Sequence, residues 1–318
     1  MANRKTDLKV FDNIIGRNDE IDKISSYIDF VQANSNIMIS ISAPSGVGKT
    51  TLVEHILNSK KDDISYTLNM KIDKYKHSTP YELLYNAIRN LTKQLLIKEK
   101  DNLNPWKYRI KESLGQDIVF LTKEIPEINY LVNDVEISNK GYFVEKAKFD
   151  SILFRFLKLF TEYNKPLCIF IDDIQWADFI TLKWIENAIL TLNNTVIITA
   201  YRDNELEENQ ELGKLLSRLK SYDTNLKEIK LEELNKENIY QLIKQSLALK
   251  DTQTVADIVY HKTNGNAFFT KMYLRQLQKD KIIYFNEIEK VFNCDLERVY
   301  KLPLNFGLFE FLNKNIDI

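Results

Sequence analysis

Residues Ala43-Pro44-Ser45-Gly46-Val47-Gly48-Lys49-Thr50 follow the apolar run Ile37-Met38-Ile39-Ser40-Ile41-Ser42 and precede Thr51-Leu52-Val53-Glu54-His55-Ile56-Leu57. The first flank has the character of a strand, and the second has the apolar spacing of a helix. Between them lies a phosphate-binding loop complete in all but its first position, where Ala43 stands in place of glycine. A phosphate would meet the N-terminus of the helix, where unpaired N–H groups and the positive end of the helix dipole favour an anion. Lys49 would reach the β- and γ-phosphates, and the Thr50 hydroxyl a Mg²⁺ ion. Pro44, Ser45, Gly46, Val47, Gly48, Lys49, Thr50 and Thr51 are therefore the first nucleotide-binding candidates. Ala43 only starts the loop, while Gly46 and Gly48 remain where the backbone must approach the ligand most closely.

Five β-rich apolar runs alternate with helical stretches: Ile37 to Ser42, Ile64 to Asn69, Leu167 to Ile171, Thr195 to Tyr201 and Leu226 to Leu231. That alternation predicts an α/β fold, a P-loop NTPase with a five-stranded parallel sheet covered by helices on both faces. Nearly a hundred residues separate the second and third runs, too many for a loop, and they include the helical stretches Pro80 to Ile97 and Phe149 to Tyr163. They predict a helical insertion at about 75–163. The pattern after Leu231 is helical. Asn235 is a good N-cap, with Leu234 and Ile239 spaced as a hydrophobic staple. A second helix, about Val255 to Lys262, stops at Asn264-Gly265, and Asn266 can cap a third through Phe268, Phe269, Met272, Tyr273 and Leu277. The expected organisation is a lead segment at 1–36, the NTPase domain at 37–231, a small helical lid at 232–280, and a hairpin and truncated tail at 281–318. The acidic stretch Glu205 to Glu211 reads as a solvated loop and helix start.

Phosphoryl transfer also needs a metal ligand and a group that positions water. The run Leu167 to Ile171 ends in Asp172-Asp173, and ligands gather beyond the carboxyl ends of parallel strands. Asp172 is placed as the metal ligand, and Asp173 as the carboxylate that orients or deprotonates water; a turn or helix-capping pair is the alternative. Arg202 follows Thr195 to Tyr201 and would emerge at the same sheet edge, able to contact a γ-phosphate. Its alternative is a surface arginine, paired in the loop with Asp203. Asp173, Lys49 and Arg202 thus form the expected catalytic set. The base is read as adenine, because no glycine follows Asp172-Asp173 in the Asp-x-x-Gly pattern of guanine-specific enzymes, and Asn313-Lys314-Asn315-Ile316-Asp317 matches Asn-Lys-x-Asp only out of register. ATP and Mg²⁺ are the expected cofactors.

The chain has 318 residues, 44% of them hydrophobic, enough for one α/β core and a smaller helical domain. A formal net charge of -1 with dispersed basic residues argues against nucleic acid and anionic membranes as partners. No apolar run approaches the ~20 residues of a membrane span, and Met1 to Lys5 lacks a signal-peptide core, so a cytoplasmic location is expected. Cys168 and Cys294 read as free thiols, and His55, His77 and His261 lack metal-ligand spacing.

Beyond these patterns the chain resembles the STAND class of P-loop ATPases, specifically the ATPase domain of bacterial-type fusion proteins with kinase, GAF and histidine-kinase modules. The most specific match is Phe170-Ile171-Asp172-Asp173-Ile174-Gln175-Trp176-Ala177-Asp178, followed by Ala200-Tyr201-Arg202-Asp203-Asn204-Glu205. Lys71-Ile72-Asp73, Pro80-Tyr81 and Leu121-Thr122-Lys123-Glu124-Ile125-Pro126-Glu127 are also similar. Gly16-Arg17-Asn18-Asp19-Glu20-Ile21 looks like the family's N-terminal motif, which implies that Gly16 and Arg17 lie against the adenine. Lys262-Thr263-Asn264-Gly265-Asn266-Ala267-Phe268-Phe269 matches the helical-domain motif with Ala267 in place of proline, and implies a nucleotide contact at Asn266 and Ala267. The resemblance implies an ATP-driven switch whose helical domain closes over the nucleotide, with protein partners or self-association through that domain. Ala43 and Ala267 depart from the family in nucleotide-facing motifs, which would weaken affinity. Relatives continue into further modules, so a fragment, a truncated gene product and a stand-alone paralogue are all compatible with an end at Ile318. Against the slowly hydrolysing switch stand a non-hydrolysing nucleotide-binding interaction module and an ATPase regulator acting on DNA.

Overall fold

A computed structural model describes residues 14–31, 35–75, 80–132, 146–162, 165–222, 225–247 and 249–302. Expectations that fall on His77 and on residues after Leu302, Asn313 to Asp317 included, lie outside them. In chain order the elements are α1 (Asn18–Phe30), β1 (Asn36–Ser42), α2 (Lys49–Ser59), β2 (Tyr66–Lys71), α3 (Pro80–Lys98), α4 (Asn104–Leu114), α5 (Ile118–Glu124), α6 (Lys146–Thr161) and β3 (Leu167–Asp172). They continue with α7 (Phe179–Thr191), β4 (Thr195–Tyr201), α8 (Gln210–Ser221), β5 (Leu226–Lys230), α9 (Lys236–Ser246), α10 (Thr252–Thr263), α11 (Ala267–Lys279), β6 (Ile283–Asn286), β7 (Val291–Cys294) and α12 (Leu296–Lys301). The chain divides into two compact units, one built from the described residues within 20–43 and 53–230, the other from those within 1–19, 44–52 and 231–318.

The larger unit holds a five-stranded, all-parallel sheet in the order β2-β3-β4-β1-β5. Every residue of β3 and β4 is buried, which explains why neither run alternates polar with apolar residues. The second strand begins at Tyr66 rather than at the expected Ile64, with the Ser65 amide donating to the Pro166 carbonyl just ahead of it. The predicted insertion contains α3, α4, α5 and α6. It packs on β2 through an aromatic cluster in which Tyr66 meets Phe160 edge-on at 5.2 Å and Trp106 lies 4.8 Å from Phe160. The β2 edge is closed by a side chain: Gln94 of α3 accepts from the Thr67 amide at 3.2 Å and donates to the Thr67 carbonyl at 2.7 Å, imitating a neighbouring strand.

The smaller unit buries Leu234, Ile239, Leu242, Ile243, Val255, Val259, Leu274 and Leu277 among α9, α10 and α11. Asn235 caps α9 in a reciprocal capping box with Asn238. Asn264 ends α10 in the left-handed conformation at φ 50°, and Gly265 follows at φ 77°. Gly265 is the tightest glycine among the described residues of this unit, because a Cβ there would lie 2.0 Å from the Leu234 carbonyl oxygen. That atom is backbone and cannot swing aside. Gly265→Ala should therefore lower stability by about 2 kcal/mol or more, from strain and clash together, and urea unfolding followed by circular dichroism checks it. The hairpin expected at Lys281 to Asp295 is present as β6 and β7.

Candidate functional site

The loop between β1 and α2 belongs to the smaller unit, and its shape is set there. Gly46 and Gly48 take φ values of 81° and 106°, which non-glycine residues rarely adopt. Gly46 is also needed for space, since a Cβ would lie 2.6 Å from Asn266 Oδ1. Ala43 is wholly buried, and its amide donates to the Tyr201 carbonyl at 3.3 Å, continuing the strand. It needs no left-handed backbone, so alanine serves at that position.

Four consecutive loop carbonyls each accept a hydrogen bond. Lys49 Nζ donates to Pro44 O at 3.0 Å, Asn266 Nδ2 to Ser45 O at 3.0 Å, the Phe268 amide to Gly46 O at 2.9 Å, and Arg17 Nη2 to Val47 O at 3.3 Å. A trans peptide sets each carbonyl antiparallel to the next residue's N–H. Pinning the carbonyls of Ser45, Gly46 and Val47 therefore turns the amides of Gly46, Val47 and Gly48 to the other side of each peptide, the arrangement of an anion nest. Thr50 and Thr51 follow in the first turn of α2.

The residues that hold the loop are themselves fixed. Arg17, only 6% exposed, also donates to Glu232 O at 2.6 Å. Asn266, equally buried, caps α11 by accepting from the Phe269 amide and donates to Glu233 Oε1 at 3.2 Å. Partial burial pushes the Glu233 carboxyl above its ordinary range, opposed by the Asn266 hydrogen bond and by the charges of Arg17 and Lys49. Ala267 starts α11 and packs against the helical core, and the backbone of Gly16 lies close against Asn238.

A second cluster lies at the carboxyl edge of the sheet in the larger unit. Asp172 closes β3, is 3% exposed, and accepts the Asp173 amide on Oδ1 at 3.1 Å. Lys71 Nζ stands 4.0 Å from its other oxygen. Asp173 adopts the left-handed conformation, φ 55° and ψ 41°, and so leaves the strand abruptly. Its Oδ1 accepts from Gln175 Nε2 at 2.9 Å and lies 3.5 Å from Arg202 Nε. Gln175 Oε1 in turn accepts the Arg202 amide at 3.2 Å. The cap of α7 is Asp178, whose carboxylate accepts from the Thr181 amide at 2.7 Å.

One alternative for Arg202 falls here, and one reading of the sequence needs correction. Arg202 does not pair with Asp203, which instead faces Lys230 at 3.6 Å; its Nη1 donates to Glu205 Oε1 at 2.8 Å. Nor is the start of the acidic stretch solvated. Glu205 has a side chain only 16% exposed and accepts from Trp176 Nε1 at 2.8 Å on its other oxygen. The missed signal was the spacing of three between Arg202 and Glu205, which a 3₁₀ turn over Asp203–Glu208 brings onto one face.

Strand, glycine loop and helix on a parallel sheet, with carboxylates closing β3, one strand removed from β1, define a P-loop ATPase fold. A family model described as AAA ATPase domain matches residues 13–198, more than half of the sequence, and the chain belongs to that family. The Walker-type ATPase PABY2304 of Pyrococcus abyssi shares the fold with a TM-score of 0.57 at 16% identity, covering 95% of this chain and 76% of that one. Among curated proteins, the hybrid signal transduction histidine kinase G of Dictyostelium discoideum is 21% identical over 96% of this chain, which spans 11% of that protein. The peroxide stress-activated histidine kinase mak3 of Schizosaccharomyces pombe is 20% identical over 95% of the chain, which spans 15% of its length. No helix among the described residues is long and apolar enough to cross a membrane.

Proposed function

We propose that this chain binds ATP with Mg²⁺ on the 44–51 loop, hydrolyses it slowly, and acts as a nucleotide-dependent switch of the STAND type in a cytoplasmic signalling protein. The observation that carries the reading is the set of four pinned carbonyls at 44–47, a loop held in readiness for an anion by Lys49 beside it and, from segments remote in sequence, by the Asn266 and Arg17 side chains and the Phe268 amide. The two curated relatives are named histidine kinases, which supports a signalling setting. Gly16, Arg17, Asn266 and Ala267 would complete the nucleotide-binding set, with residues 232–280 as the lid. Protein partners, or a second copy, would engage that helical segment.

The donors suit Mg²⁺. The Asp172 carboxylate and the Thr50 hydroxyl are hard oxygens, and this ion usually takes one or two protein ligands besides phosphates and water, so it needs no larger acidic cluster. When bound it would neutralise charge on the transferring phosphoryl group. Asp173 would orient the attacking water, and Arg202 would meet the γ-phosphate.

The test is ATP turnover and binding by the purified chain at several protein concentrations. Turnover should be slow, because nothing in the sequence is clearly recognisable as an arginine finger supplied in trans, a device worth ~10³ to 10⁵ in rate. Hydrogen exchange should differ between ATP and ADP around Arg202 and around Asn264 to Phe269, and Arg202→Ala should erase the difference. Phe268 donates to the loop carbonyl Gly46 O, so a change in the loop reaches the start of α11 directly. Identical protection with both nucleotides would favour the second reading, a nucleotide-binding module without a switch.

A further inference from the structure

We propose that Glu205 and Trp176 form a latch on Arg202, and that Glu205 thereby sets how strongly the site distinguishes ATP from ADP. This inference rests on the ATPase reading above and concerns residues that the reading leaves without a role. Arg202 is held on three sides. Its Nη1 donates to Glu205 Oε1 at 2.8 Å, its Nε lies 3.5 Å from Asp173 Oδ1, and its guanidinium carbon lies 4.6 Å from the centre of the Trp176 ring. The guanidinium is therefore shared between two carboxylates and stacked on an indole. Its side chain remains 26% exposed, so the arrangement is accessible to a competing anion.

Glu205 is fixed at both oxygens, one by Arg202 and the other by Trp176 Nε1 at 2.8 Å. The indole donor thus prevents the carboxylate from swinging away when a rival approaches. The γ-phosphate of ATP offers more negative charge than one carboxylate and several acceptor oxygens, so it competes for the same Nη groups. ADP has no γ-phosphate. The outcome depends on the difference between two interactions, Arg202 with phosphate and Arg202 with Glu205, and weakening the second widens the preference for ATP.

Gln175 gives the latch a route to Asp173. It donates to Asp173 Oδ1 at 2.9 Å and accepts the Arg202 amide at 3.2 Å, while Asn209 Nδ2 holds the Gln175 carbonyl at 2.9 Å. Release of Arg202 removes one of the two neighbours of Asp173 Oδ1 and leaves Gln175 in place. Glu205 and Trp176 are positioning residues, acting on nucleotide through Arg202.

The experiment titrates the parent chain, Glu205→Gln and Trp176→Phe with ADP·Mg and with a non-hydrolysable ATP analogue·Mg by calorimetry, and follows tryptophan fluorescence in parallel. Glu205→Gln keeps the shape and removes the competing charge. Its affinity for the analogue should rise about threefold to tenfold with little change for ADP, the scale of losing one partly exposed charge-assisted pair. Trp176→Phe keeps the carboxylate but frees one oxygen, and should shift the same ratio in the same direction by less. The analogue should change the fluorescence of the parent and of Glu205→Gln but not of Trp176→Phe, and ADP should change it little in any of them. An unchanged ATP-to-ADP ratio in both variants overturns the latch while leaving the ATPase reading intact. A parent chain that binds neither nucleotide overturns both.

Discussion

Lys49→Ala should lower the affinity for ATP·Mg by about 100-fold or more, because charge-assisted hydrogen bonds contribute about 1.5–3 kcal/mol each and the ammonium would serve two phosphates. Lys49 is 7% exposed and donates to Pro44 O at 3.0 Å, so its head is already folded over the loop that it would complete. In the free protein the substitution removes a hydrogen bond to the Pro44 carbonyl and a charge that acts on the Glu233 carboxyl. Stability without nucleotide should therefore fall by at least about 1 kcal/mol, while the loop should keep the three carbonyl contacts made by Asn266, Phe268 and Arg17. Isothermal titration separates the two effects when combined with a melting curve recorded without ligand. Adenosine provides the control, because it carries no phosphate and its affinity should be the same in the parent and the variant. ATP affinity unchanged by Lys49→Ala would mean that this loop is not the site.

How far such a site can be read from sequence depends on the range of the interactions that build it. The P-loop and the acids at the end of β3 are local patterns, and so is the fully apolar Leu167–Ile171 run that marks a strand buried on both faces. The caps of α9 and α11 were equally legible, since Asn235 and Asn266 each bond an amide three residues ahead. What one sequence does not carry is the pairing of remote segments. Arg17 meets Val47 across 30 positions, and Asn266 meets Ser45 across 221. Neither contact leaves a periodic trace. Gln94 closing the β2 edge looks like any polar residue of a helix. The Arg202 environment was misread for a related reason. A run of acids around Glu205 suggests solvation on average, and only the 3₁₀ turn decides that this one carboxylate turns inward to Arg202 and Trp176.

Asp173→Asn should retain ATP, binding it at least as tightly as the parent does, and lose hydrolysis by about 10² to 10⁴, the usual contribution of a positioned acid or base. The choice of asparagine follows from the backbone. Asp173 sits at φ 55°, ψ 41°, a region that asparagine tolerates better than most side chains, so the turn after β3 should survive, whereas alanine there would add strain. Asparagine also keeps an oxygen that can accept the 2.9 Å bond from Gln175 Nε2. What disappears is the charge, and with it both the polarisation of water and the pull on Arg202 Nε at 3.5 Å. Asp172→Asn should differ in kind. It removes charge from a carboxylate 3% exposed at the end of β3, and should raise the Mg²⁺ concentration needed for half-maximal turnover rather than abolish turnover at saturating metal. Single-turnover measurements across a Mg²⁺ series distinguish the two. If Asp173→Asn turns over ATP like the parent while Asp172→Asn cannot be rescued by metal, the roles of the two acids are exchanged, and the residue that orients water is the one still in line with the strand.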